Sequence, residues 1–119
     1  MKNVVPFPGW GPFEGPDSDD LDEQARRSFA AAAIPVPEGV TSGVVRLTDD
    51  RRYGMPVVLV CPEFSPTQVK EWIAAGELAE LAKVERLELV DIDSGHWPML
   101  TQPVELARIL AAAASDVDG

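Results

Sequence analysis

The chain contains one histidine, His96, and its setting suits proton transfer. It follows the alternating stretch RLELVDI (86–92), with Gly95 before it and Trp97 and Pro98 stiffening the turn after it. A histidine on such a loop is a candidate general base, because imidazole titrates near neutrality. The plainer alternative is a ring that caps a helix or satisfies a carbonyl. A base also needs a group to orient it, and Glu63, Asp91 and Asp93 are the carboxylates that sequence position brings into question. Asp91 and Asp93 read as strand-end and turn residues. Trp97 either walls a substrate pocket or closes the bottom of the loop.

Other chemistries find less support. The acidic run DSDDLDE (17–23) fails as an EF-hand loop, since its sixth and twelfth positions hold Asp22 and Ser28 instead of glycine and glutamate. It reads as a solvated helix start, where negative charge favours the helix dipole. Cys61 is alone, so neither an internal disulfide nor a cysteine zinc site is expected, and it reads as a buried, inert thiol. Arg51 and Arg52 are expected to pair with surface acids. None of Ser18, Ser28, Ser42, Ser65, Ser94 and Ser115 stands in a G-x-S-x-G elbow. No metal and no cofactor is expected.

Several elements must position these groups. Residues 1–19 are too rich in proline and glycine for a helix or a central strand and read as an extended arm, whose Phe7, Trp10 and Phe13 are expected to pack on the remainder. Asp20 and Glu23 have capping-box spacing and predict a helix over 20–33, with Leu21, Ala25, Phe29 and Ala32 as its buried stripe. Residues 35–55 connect, and GVVRLT within them is either a short extended piece or a loop. The run MPVVLVC predicts a strand buried on both faces. Ser65, Pro66 and Gln68 then open a helix that runs on through QVKEWIAAGELAELAKV, with Gly76 a weak point inside it. RLELVDI is a second, less buried strand, so a parallel βαβ unit is expected. A last helix starts at Pro103, and the final SDVDG is expected to fray.

The 119 residues fit one domain. Twenty acidic against ten basic residues give a net charge of −10, which disfavours nucleic acid and anionic membranes as partners. No apolar stretch approaches the roughly 20 residues that span a bilayer, and the start lacks the apolar run of a secretory signal, so a cytoplasmic location is expected.

The segment DIDSGHWPMLTQPVELARIL is similar to the end of many α/β-hydrolases, in which a strand leads to a Gly-His pair, then a proline, then a final helix opened by Pro-x-x-Leu. PVVLVCPEFSPTQVKEWI resembles the strand and helix before that loop, and the likeness spans residues 35–114 and reaches the helix at 20–33, which would match part of a cap. The resemblance implies an α/β fold: a partial hydrolase sheet of two or three mostly parallel strands, flanked by helices and preceded by the arm. The 119 residues would then form a single partial domain, with an arm (1–19), a cap-like helix and connector (20–55) and the hydrolase C-terminus (56–114). His96 would match the catalytic base. The family's acid commonly lies in the loop matching PEFSP, where Glu63 is the only carboxylate; it either orients His96 or is a surface glutamate two residues out of register.

The nucleophile elbow lies upstream of this region in the family. The resemblance thus implies a serine hydrolase of small esters or amides that is inactive as an isolated chain, with its nucleophile on another polypeptide. The alternative is a non-catalytic relic or self-assembling module. So small a sheet leaves edges uncovered, and either self-association or docking on a separate N-terminal half is expected.

Overall fold

A computed structural model of the protein describes residues 3–117. Two parallel strands, Val57–Cys61 and Leu87–Asp91, form its centre and pair in register from Val57 opposite Leu87 to Cys61 opposite Asp91. A second, antiparallel pair is only two residues long on each side, Val4–Val5 against Val36–Pro37. In chain order these strands are β1 (Val4–Val5), β2 (Val36–Pro37), β3 (Val57–Cys61) and β4 (Leu87–Asp91). The helices are α1 (Glu23–Ala32), α2 (Glu38–Ser42), α3 (Pro66–Ala74), α4 (Ala79–Ala82), α5 (Pro98–Thr101) and α6 (Pro103–Val117). The architecture is mixed α/β, as the sequence predicts at that level.

The strand–helix–strand unit forms where the hydrophobic pattern places it. Ser65 and Gln68 make the reciprocal capping box at the start of α3: the Ser65 hydroxyl accepts from the Gln68 amide at 3.1 Å, and Gln68 Oε1 accepts from the Ser65 amide at 2.8 Å. The predicted long helix does not continue. It stops at Ala74, because Gly76 takes a positive φ of 81°, a left-handed conformation that ends a helix and that glycine adopts at little cost. The chain resumes as the single turn of α4.

β3 is less enclosed than its apolar run predicts. Cys61 is fully buried, but Val57–Val60 are only half-buried, since β4 is the single strand paired with β3 among the described residues. A cleft of about 200 Å³ remains between the pair and α6, lined by Val58, Val90 and Ile109 among others. Burial pushes the Cys61 thiol up from its ordinary pKa, and the nearby Asp91 carboxylate adds to the rise, so the thiol stays protonated and unreactive.

The arm is well packed. Phe7, Trp10 and Phe13 join Phe29 of α1 and Trp97 in one aromatic cluster, with ring centroids 5.2–6.2 Å apart and mostly edge-to-face. Trp10 also donates its indole N–H to the Arg26 carbonyl at 3.0 Å. Ser18, completely buried, donates to the Phe13 carbonyl at 2.5 Å, and the Arg26 guanidinium donates to the Ser18 carbonyl at 2.8 Å.

The N-cap of α1 lies two residues later than the capping-box spacing predicts. Asp22 is its N-cap and accepts from the Ala25 amide at 2.7 Å, while Asp20 is employed elsewhere. Of the expected stripe, Leu21 is buried ahead of the helix, Ala25 and Phe29 are half-buried and Ala32 is exposed. The connector gains α2 and a 3-10 turn over Asp50–Gly54, whereas Val44, Val45 and Leu47 in GVVRLT find no partner strand and remain exposed. Arg51 and Arg52 pair with acids, Asp49 and Asp50 respectively, and Arg52 also reaches Glu80 at 3.3 Å. α6 is helical through Val117, so no fraying is seen up to that point, and Asp118 and Gly119 lie outside the described residues. Among the described residues no helix is long and apolar enough to cross a membrane.

Candidate functional site

Parallel pairing brings the carboxyl ends of β3 and β4 to one rim, and the loops beyond that rim carry the candidate residues. Glu63 lies two residues past the end of β3 and His96 five residues past the end of β4. They meet: His96 Nδ1 stands 2.6 Å from Glu63 Oε1, although the residues are 33 positions apart in sequence. The Glu63 side chain is 26 % exposed and that of His96 53 %.

Which ring nitrogen meets the carboxylate determines the chemistry. An ionised carboxylate only accepts, so a neutral His96 placed this way carries its proton on Nδ1 and presents Nε2 with a free lone pair. That is the tautomer a general base requires, and it reproduces the division of labour in an acid–histidine–nucleophile triad, where the acid holds Nδ1 and Nε2 takes the proton.

The loop is held on several sides. Ser94 Oγ and Thr101 Oγ1 lie 2.6 Å apart, closing the turn, and Gln102 donates its side-chain amide to the Asp93 carbonyl at 3.1 Å. Asp93 thus contributes its backbone to the loop, and Asp91 is the last residue of β4. From the far end of the sequence, Asp20 Oδ2 accepts from the Gly95 amide at 2.7 Å and the Asp17 carbonyl accepts from the His96 amide at 3.1 Å. The approach is so close that a Cβ on Gly95 would sit 2.6 Å from Asp20 Oδ1 and 2.9 Å from the Asp17 carbonyl oxygen. Only glycine fits here, which gives the Gly-His pair a physical reason.

Trp97 lies within the aromatic cluster, with its ring edge-on to His96 at 4.8 Å between centroids. Its ring contacts join the His96 loop to the arm. The arm residues Asp17 and Asp20 are what the sequence reading missed. Their sequence setting reads as a solvated helix start, and local spacing carries no sign of a partner 75 residues away.

Asp17, Glu63 and His96 each offer a donor atom, and these atoms lie within 4.8 Å of one another. No lysine or arginine among the described residues forms an ion pair with Asp17, Asp20 or Glu63. Three carboxylates therefore stand around one imidazole with no ion-paired lysine or arginine among the described residues. The chain matches no family model, no curated protein and no solved structure.

Proposed function

We propose that this chain supplies the base and its orienting acid, His96 and Glu63, to a serine-hydrolase-type site acting on small esters or amides, in the manner of the C-terminal part of an α/β-hydrolase. The observation that carries the proposal is the 2.6 Å contact between His96 Nδ1 and Glu63 Oε1 at the carboxyl rim of a parallel strand pair. Glu63 holds the ring, Nε2 accepts the nucleophile's proton, and the resulting imidazolium returns it to the leaving group. The elbow G-x-S-x-G is absent from these 119 residues, so the nucleophile is assigned to a segment outside them.

The test has two arms. With an activated ester, the chain alone and its His96→Ala variant should show equal background rates. Adding a polypeptide that carries a G-x-S-x-G elbow and is encoded beside this chain should raise the rate with the wild type. His96→Ala should abolish that gain, by a factor of about 10⁴ or more. A gain that survives His96→Ala, or no gain at all, would overturn the proposal.

A second reading, a non-catalytic assembly module, draws on the exposed apolar residues. Among the described residues β3 and β4 each have an unpaired edge, and Ile34, Val40, Val44, Val45, Leu47 and Met55 are exposed. Under this reading the partner is a second copy or a separate hydrolase half. Sedimentation separates the outcomes: concentration-dependent association supports it, and a sharply folding monomer at low micromolar concentration contradicts it.

A further inference from the structure

We infer that Asp17, Glu63 and His96 together bind one divalent transition-metal cation of the zinc class. The three donors come from three distant parts of the chain: the arm, the loop after β3 and the loop after β4. No short motif announces them, which is why the residue spacing that rules out an EF-hand loop over 17–23 leaves this site unseen. The inference rests on side-chain placement and holds whether or not His96 serves as a base.

Donor chemistry selects the metal. One imidazole nitrogen and two carboxylates suit zinc and its transition-metal neighbours, whereas magnesium and calcium favour all-oxygen sets. Two carboxylate charges match a divalent cation, and three protein ligands leave a fourth, tetrahedral position for water, the pattern of an open zinc site. Ligand atoms around tetrahedral zinc lie about 3.3 Å apart, given metal–ligand distances near 2.0–2.1 Å. The observed donors lie within 4.8 Å, so closing on a cation takes a movement of about 1.5 Å by exposed or half-exposed side chains. The His96–Glu63 contact must open, from 2.6 Å, to admit the ion between nitrogen and oxygen. Backbone placement favours convergence: the Asp17 carbonyl already accepts from the His96 amide, so the two residues are fixed side by side before any ion arrives. Among the described residues no arginine or lysine pairs with either carboxylate to compete for it.

The experiment is calorimetric titration of the full chain with zinc chloride, repeated with cobalt(II), magnesium and calcium, while NMR follows the His96 ring. One saturable zinc site per chain is expected, with a shift of the His96 ring resonances and a cobalt(II) visible spectrum of low coordination number. His96→Ala, Glu63→Gln and Asp17→Asn should each weaken zinc binding by about 10-fold or more. Absence of saturable binding would overturn the inference, as would magnesium binding as tightly as zinc. So would zinc affinity unchanged in His96→Ala, which would mean ions held loosely by the acidic surface. Should a variant fail to fold, the wild type still decides, because a His96 ring unmoved at zinc saturation refutes the site. The ester assay and the ring tautomer are read in the presence of chelator, so failure of metal binding and failure of the base assignment are told apart.

Discussion

The arm and the connector make opposite use of their sequences. Residues 3–19 are dense in proline and glycine, yet they are pinned by aromatic contacts, a buried serine and backbone bonds to the His96 loop. Residues 38–49 include β-branched and apolar side chains of the kind that build strands, yet Val44 and Val45 are 78 % and 81 % exposed. The difference teaches that local propensity is subordinate to the supply of partners. An aromatic ring on an irregular segment can bury itself against any complementary surface, whereas a strand needs a neighbouring edge to satisfy its backbone. The arm has Phe29 and Trp97 to pack on; the GVVRLT segment has no strand to pair with among the described residues.

The contrast can be broken by mutation. Trp97→Ala removes the ring on which Trp10, Phe13 and Phe29 converge and should cost about 2–3 kcal/mol in denaturant unfolding, below the range for a fully buried tryptophan because Trp97 is only half-buried. Proteolysis within residues 3–19 should accelerate in the same variant. If stability and proteolysis are both unchanged, the arm does not depend on the cluster. Gly95→Ala comes next: its Cβ would meet the Asp17 backbone and the Asp20 carboxylate, for a cost of about 1–3 kcal/mol and loss of the arm's register on the loop. Asp20→Ala should cost about 1 kcal/mol, by leaving the Gly95 amide to water, and amide exchange at Gly95 reads this directly. By contrast, Val44→Ala and Val45→Ala should each change stability by no more than about 0.5 kcal/mol.

The smallest effect is electrostatic and lies where the end of the connector meets α4. The Tyr53 hydroxyl, and after it the Arg52 guanidinium, holds Glu80 below the ordinary carboxylate range. A depressed folded-state value means the contribution is present above the unfolded pKa and is lost as pH falls through the folded one. Acid titration should therefore remove a slight stabilisation in the wild type that Tyr53→Phe lacks, and identical acid profiles would deny the link.

Much of the scaffold was legible because its signals are local. The β-branched run of β3, the alternation of β4 and the Ser65–Gln68 capping box each lie within a few residues and form as their patterns require. Gly76 was visible as a weak point, but that it would take a positive φ and end α3 depended on how α4 seats afterwards. Asp20 shows the opposite limit. Its spacing to Glu23 suited a helix cap, but the Gly95 amide, supplied by tertiary structure, took the carboxylate, and Asp22 became the cap instead. In the candidate site, His96 and Glu63 could be nominated from their loops. Their contact, and the arrival of Asp17 beside them, exist only once the two strands are parallel and the arm is folded over the rim.

The assignment of His96 as a base held by Glu63 is tested most directly by long-range ¹H–¹⁵N NMR of its ring in the neutral form. In the wild type a proton is expected on Nδ1 with Nε2 unprotonated, and that preference should be lost in Glu63→Ala. A ring protonated on Nε2, or a tautomer mixture indifferent to Glu63→Ala, would contradict it.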